Sequence, residues 1–182
     1  MRAFIAIDLP KELKQKIAKL ENDLKQSGLL FKWVAPENLH LTLKFLGNID
    51  QKHEKEVKKV IAKISNKFTA FETSLNGFGF FPNELQPKIF FIKIEAEKIF
   101  EDIAKRLEKE LKTLGFEEEN KFKSHITLAR IKDLKNIDRL KAELQNTQLN
   151  DKFSINSIVL YESVLTKEGP IYGKIFKSNM TT

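Results

Sequence analysis

Two hydrophobic periods alternate along this chain, and each change of period marks a change of secondary structure. Apolar residues recur every three or four positions in four stretches, the spacing of helices with one buried face. The first runs from about Pro10 to Gln26 and carries Leu13, Ile17, Leu20 and Leu24, with Gly28 as its stop. The second begins after Asp50 and presents Val57, Val60, Ile61 and Ile64. The third carries Ile99, Ile103, Leu107, Leu111 and Leu114 and ends at Gly115, and the fourth follows Asp133 with Ile137, Leu140 and Leu144. Asp50 and Asp133 are the expected N-caps, because a carboxylate there accepts helix N–H groups that have no partner within the helix.

Strands are expected between the helices. "AFIAI" opens the chain and "KIFFIKI" (88–94) opens a second half; "LHLTLKFL", "FETSLNGF", "SHITLARI", "FSINSIVLYES" and "IYGKIF" alternate in polarity or are rich in β-branched and aromatic residues. The order is strand, helix, His-strand, helix, strand, and then the same order again. The spacings agree: Gly28 to His40 is 12 positions and Gly115 to His125 is 10, while His40 to Asp50 is 10 and His125 to Asp133 is 8. The expected organisation is a single domain of two similar lobes, approximately 1–81 and 88–165, with a final strand over 171–176.

The repeat places two of the three histidines in one setting, "HLTL" at 40–43 and "HITL" at 125–128. Side chains of a strand alternate between faces, so His40 and Thr42 point one way and Leu41 and Leu43 the other, and likewise His125 and Thr127 against Ile126 and Leu128. If the lobes are related by a pseudo-two-fold, two imidazoles and two hydroxyls can meet across a groove. That set suits in-line displacement at phosphorus, where an acid and a base are needed on opposite sides. An unperturbed histidine pKa near ~6.5 leaves either protonation state accessible at neutral pH. The threonine hydroxyls can donate to the non-bridging oxygens, where charge accumulates. No metal or cofactor is needed for such a reaction.

Competing chemistry fits less well. The chain has no cysteine, hence no disulfide, thiolate metal site or thiol nucleophile. Neither histidine has the His-x₃-His spacing of helical zinc sites, and the G-x-S-x-G nucleophile elbow is absent. His53, in "QKHEKE", reads as a solvated surface residue of the second helix.

Composition adds bounds. The chain has 182 residues, 41% hydrophobic and 31% charged, which is ordinary for one globular domain. No apolar run is long enough to span a bilayer, and Asp8 and Pro10 interrupt the short apolar start, so a cytoplasmic protein is expected. A net charge of +7 favours polyanionic partners, although stretches such as "KRLEKELK" mix both signs as exposed helix faces do.

In five blocks, "RAFIAIDLP", "WVAPENLHLTLKFLG", "GFGFFPNELQPK", "KSHITLAR" and "LTKEGPIY", the sequence resembles the RNA 2′,3′-cyclic phosphodiesterases, also called 2′-5′ RNA ligases, of the two-histidine phosphoesterases. The resemblance implies a bilobed α+β fold whose two antiparallel sheets face a central groove with helices outside. It also implies hydrolysis of a terminal 2′,3′-cyclic phosphate on RNA to a 2′-phosphate. By the same resemblance, His40 is the proton donor to the departing 3′ oxygen and His125 the proton acceptor that activates water. The chain departs from the family pattern at Ser124, where Pro is frequent, and at Lys88–Phe91, where Arg and a following Trp are frequent.

The expected site is thus His40 and His125 with Thr42 and Thr127 on the phosphate. Arg130 is a candidate phosphate contact, but strict alternation turns it away from His125 unless the strand bends. Phe4, Phe122 and Tyr172 are candidate base-stacking residues. The expected partner is an RNA end, met by a monomer and without a membrane. Two other functions use the same residues: joining a cyclic phosphate end to a 5′-hydroxyl end, or holding RNA without catalysis.

Overall fold

The computed structural model describes residues 1–119 and 121–182. The strands are β1 (Arg2–Asp8), β2 (Lys32–Trp33), β3 (His40–Asn48), β4 (Phe71–Phe81), β5 (Ile89–Ile94), β6 (His125–Arg130), β7 (Lys152–Ile155), β8 (Ser157–Leu165) and β9 (Pro170–Asn179). The helices are α1 (Lys11–Gln26), α2 (Gln51–Ser65), α3 (Glu97–Lys112) and α4 (Ile137–Gln145), with a 3₁₀ turn at Pro36–Asn38. The doubled order of elements read from the sequence is present.

The strands form a curled antiparallel sheet in the order β7-β4-β5-β6-β3-β1-β8-β9, with the short β2 added beside β6. Its two halves, β7-β4-β5-β6 and β3-β1-β8-β9, are joined among the described residues by one paired position, Leu41 with Ile126. They are the two sheets of the expected bilobed fold, continuous at that point. Each half contains a strand from the other stretch of chain. β4 leaves the first stretch to pair with β5, and β8 returns from the second to pair with β1.

The helices cover one face of the sheet. α2 packs on β8, β9 and α3, and α3 packs on β3. On the other half, Lys16 of α1 pairs with Asp151 beside β7, and Gly28 at the end of α1 lies against Arg139 of α4. Between helices and sheet runs one continuous core that includes Ile5, Ile17, Leu41, Ile61, Phe90, Leu107 and Ile126. Each such side chain contributes about 1.5–3 kcal/mol by leaving water. The opposite, concave face carries a second, small cluster of Phe4, Ala6, Val159 and Tyr161 with Tyr172 against it.

Some boundaries differ from the sequence expectation. Asp50 caps α2, accepting the His53 N–H at 2.8 Å. Asp133 does not cap α4. Its Oδ1 accepts the Lys135 N–H at 2.9 Å in a preceding turn, and Asn136, at φ 71°, stands at the N-cap. Both Asp and Asn stabilise turns as readily as caps, and Asn tolerates the left-handed region. "FSINSIVLYES" is two strands, β7 and β8, broken at Asn156. In α3 the buried stripe begins at Phe100 and Ile99 is exposed. Among the described residues no helix is long and apolar enough to cross a membrane.

Candidate active site

The pairing of Leu41 with Ile126 decides where the two His-x-Thr motifs meet. Both side chains are fully buried against the helices, so the residues on either side, His40 and Thr42 on β3 and His125 and Thr127 on β6, face the concave groove. Antiparallel order sets His40 toward Thr127 and His125 toward Thr42. The four side chains thus surround one point on the groove floor, with the imidazoles at opposite corners.

The burial pattern of β6 over His125–Arg130 is the same as that of β3 over His40–Phe45: half-buried, buried, half-buried, buried, buried, exposed. Two buried residues in succession mean that alternation slips in each strand. The registers show the slip. β1 skips Leu43 when it pairs Ile5 with Lys44 and Ala6 with Thr42, and β5 skips Leu128 when it pairs Phe90 with Ala129 and Phe91 with Thr127. Beyond each bulge the phase is reversed. Arg130, which strict alternation would turn toward the helices, is brought to the groove face opposite Ile89, and Phe45 is brought there opposite Phe4. Lys44 goes the other way, into the core side, where its Nζ lies 2.9 Å from Glu108 Oε1 and donates to the Glu117 carbonyl at 2.6 Å.

Both imidazoles are held alike. His40 Nδ1 lies 2.6 Å from the Asn38 carbonyl and His125 Nδ1 lies 2.7 Å from the Lys123 carbonyl, in each case two residues upstream. A carbonyl only accepts, so Nδ1 carries the hydrogen in both rings and each neutral Nε2 presents a lone pair. His40 Nε2 accepts from Thr42 Oγ1 at 2.8 Å. Burial lowers the pKa of both rings. His40 falls to about 4, with the Asn38 hydrogen bond and Asp8 opposing burial and Lys14 and His125 reinforcing it. His125 is lowered by burial, opposed by its hydrogen bond to Lys123. At neutral pH both rings of the free protein are uncharged.

Neighbouring strands complete the surroundings. Asp8 stands across from His40 on β1, and Lys93 stands across from His125 on β5. Burial would raise the Asp8 carboxyl, but Lys14 at 2.8 Å and Lys174 at 2.6 Å outweigh it and hold it low. Around His40 lie Phe4 at 4.9 Å, Tyr172 at 5.4 Å and Tyr161 at 6.2 Å between ring centroids. Around His125 lie Phe81 at 5.0 Å and Phe91 at 5.3 Å, both edge-on. Gly79 leaves room for the Phe91 ring, since a Cβ there would come within 2.5 Å of Phe91 Cζ.

Of the aromatic candidates, Tyr172 is brought to the groove. Burial raises its hydroxyl pKa while Arg130 and Arg2 pull it down, so both cations act on the ring that touches His40. Phe4 is buried and supports the His40 ring from below. Phe122 lies elsewhere, lining a cavity beside α3 with Lys105, Glu108 and Lys109. Sequence reasoning missed Phe45, Phe81, Phe91, Asp8 and Lys93. Phe45 had a signal, since it follows its histidine by five residues as Arg130 does. Among the described residues no group of three or more His, Asp or Glu side chains is arranged to hold a metal ion.

Comparison with known proteins gives the same picture. The family model described as LigT like Phosphoesterase matches twice, over residues 7–91 and 92–172, and each match contains one His-x-Thr strand. A Methanothermobacter thermautotrophicus protein named RNA 2′,3′-cyclic phosphodiesterase is 33% identical over 94% of this chain and 95% of its own. A Methanocaldococcus jannaschii protein of the same name is 35% identical over 94% and 96%. In structure, the Thermus thermophilus protein TT0787 superposes with a TM-score of 0.81 at 27% identity, over 99% of this chain and 98% of that one. Escherichia coli LigT in its apo form follows at 0.76 and 21%, over 100% and 98%, a likeness of fold. With the family model matched across both halves and full-length relatives above 30% identity, this chain belongs to the LigT-like phosphoesterases.

Proposed function

We propose that this protein hydrolyses RNA ends carrying a 2′,3′-cyclic phosphate to 2′-phosphate ends, by acid–base catalysis between His40 and His125 and without a metal ion. The observation that carries this reading is the Leu41–Ile126 pair, which sets two imidazoles and two hydroxyls around one point with both Nε2 atoms toward the groove. His125 Nε2 takes a proton from water as the water oxygen attacks phosphorus. The bond from phosphorus to the 3′ oxygen breaks on the far side, and His40 Nε2–H gives that oxygen its proton. Thr42 and Thr127 donate to the non-bridging oxygens as their charge rises. Lys93, Arg130 and Arg2 supply the positive field that an RNA end requires.

A donor must be charged, and free His40 is not at neutral pH. The substrate corrects this. A phosphodiester anion ~4 Å from an imidazolium at an effective dielectric of 20 favours the charged ring by about 4 kcal/mol. At ~1.4 kcal/mol per pKa unit that is about three units, enough to bring a ring of pKa about 4 close to neutrality. Binding and protonation are therefore coupled, and the two rings hold one proton between them: with His40 charged, its repulsion of a second positive charge keeps His125 free to accept.

Both motifs come from one chain, which supports a monomer, and the absence of cysteine is in keeping with the cytoplasm. The test is a short RNA with a 2′,3′-cyclic phosphate end, incubated with the protein and excess EDTA, with products resolved into 2′-phosphate, 3′-phosphate and cyclic species. The expected product is the 2′-phosphate, formed despite chelation and lost in His40→Ala and His125→Ala. An unchanged end would overturn the hydrolase. A longer RNA formed when a 5′-hydroxyl partner is supplied would assign ligation instead.

A further inference from the structure

The two His-x-Thr motifs are held alike at the imidazole and unalike one step further out. Each Nδ1 gives its hydrogen to the carbonyl two residues upstream, Asn38 for His40 and Lys123 for His125. A carbonyl aims a ring only as firmly as its own peptide is fixed. For His125 that peptide lies in the irregular stretch before β6. Among the described residues the Lys123 side chain makes no hydrogen bond, and its Nζ rests over the Phe81 ring at 5.9 Å.

For His40 the peptide is tied down. Asn38 closes the 3₁₀ turn Pro36–Asn38, its N–H donating to the Ala35 carbonyl at 2.8 Å. Its side-chain Nδ2 donates to the carbonyl of Pro170, the first residue of β9, at 2.7 Å. The neighbouring Glu37 carbonyl accepts from Lys14 Nζ at 3.0 Å, and Lys14 meets Lys174 of β9 on the Asp8 carboxylate. The segment that aims His40 is therefore joined to β9 at two points.

β9 in turn brings Tyr172 to the ring. Two residues beyond Pro170, Tyr172 stands edge-on to His40 at 5.4 Å and to Phe4 at 4.8 Å between centroids. At this end of the β8–β9 hairpin Val164, Leu165 and Ile171 are all exposed, so little apolar packing places it and the Asn38 bond weighs more. One residue thus fixes two groups around the imidazole: its own carbonyl on Nδ1 and, through Pro170, the Tyr172 ring.

The asymmetry matches the division of labour. A proton donor must point along the line to the departing oxygen, and misplacing a reacting group by about 1 Å can cost roughly 10²-fold. A base that takes its proton from water has more latitude, because the water can turn with it.

We propose that Asn38 is a positioning residue for the proton donor, its backbone carbonyl and side-chain amide together holding the His40 imidazole toward the departing 3′ oxygen. This rests on the assignment of His40 as donor.

The test compares two RNA ends, the ordinary cyclic phosphate and one in which sulfur replaces the bridging 3′ oxygen. A thiol pKa near ~8.5 is far below that of an alcohol, so the sulfur leaves without the donor's help. Asn38→Ala and Asn38→Leu, which cannot donate to Pro170, are expected to lose roughly 10- to 100-fold in kcat on the oxygen end with KM little changed. The loss on the sulfur end should be much smaller, which also shows that each variant is folded. His40→Ala should give the same pattern with a larger loss. Equal losses on both ends in the Asn38 variants, or full activity on the oxygen end, would overturn the proposal while leaving the hydrolase intact. Equal losses on both ends in His40→Ala would remove the donor assignment and the proposal with it. If wild type turned over neither end, the hydrolase reading would fall, and imidazole ¹⁵N resonances would decide the placement by themselves. A His40 tautomer that becomes mixed in Asn38→Ala while His125 is unchanged supports the positioning role; an unchanged His40 overturns it.

Discussion

Leu41 and Ile126 face each other across the join between β3 and β6, and this is the one position at which those strands pair among the described residues. The proposed catalytic set is placed by it. A shift of one residue in either strand would turn its histidine and threonine into the core and its aliphatic residues into the groove. The burial of Leu41 and Ile126 therefore does more than stabilise: it selects the register in which the reaction set exists.

Removing either imidazole should lower kcat by roughly 10²–10⁴-fold, and the double variant should be little worse than the poorer single one, because the two act in one transition state. Single-turnover rates of His40→Ala, His125→Ala and the double variant on a cyclic-phosphate RNA check this.

The pH dependence follows from the burial of both rings. The kcat/KM profile reports the free protein, where both histidines are lowered, so its bell should centre below pH ~6.5. The kcat profile reports the complex, where the bound anion favours charged His40, so its alkaline limb should move upward. Coincident limbs in the two profiles would contradict a proton taken up with the substrate.

Gly79 is predicted to be intolerant of a side chain. In Gly79→Ala the new methyl meets Phe91, whose ring is stacked on Phe81 at 4.2 Å, and forcing it aside should cost about 1–3 kcal/mol. Because Phe91 and Phe81 flank His125, turnover should fall as well as the melting temperature. A variant as stable and active as wild type would show that the ring has room to retreat.

Glu21 gives a stability prediction far from the site. It is buried in α1 with neither oxygen hydrogen-bonded, and burial raises its pKa to about 8 against some opposition from Lys25. Between about pH 4.5 and 8 the folded chain holds a proton that the unfolded chain has released, so this group's contribution falls as pH rises, by at most ~1.4 kcal/mol per unit. Glu21→Met should flatten that slope and raise the melting temperature most at pH 8 and above. Denaturant titrations of both proteins at pH 5 and pH 8 measure it.

Lys44 reports on the cost of the slip in β3. Lys44→Met leaves Glu108 without its partner and should destabilise by about 3–5 kcal/mol, whereas Lys44→Met with Glu108→Leu should recover most of the loss. A double-mutant cycle in urea separates the two.

Most of the elements were legible in the sequence because each repeats its period over enough residues to be recognised. The four helices and the principal strands are of this kind, and so are His40, Thr42, His125 and Thr127, whose faces follow from alternation. What alternation could not foretell were the two bulges. At Leu43 and Leu128 the chain departs from the pattern without Gly or Pro, so the groove-facing positions of Phe45 and Arg130 depend on the pairing with β1 and β5. β2 is two residues long and has no period. Asp133 was misread because the same carboxylate chemistry serves a turn and a cap. The aromatic surroundings of His125 come from β4 and β5, and only tertiary pairing brings Phe81 and Phe91 together.

The exchange of β4 and β8 between the halves has a structural and a practical meaning. Neither stretch of chain can close its own sheet, because the first lends β4 to the second and the second lends β8 and β9 to the first. A half-length chain of this design could build the same groove only by trading strands with a second copy of itself, and a single chain holding both stretches brings the two His-x-Thr motifs together without a partner. A chain cut between Phe81 and Ile89 should accordingly yield two fragments that are incomplete apart and complementary when mixed.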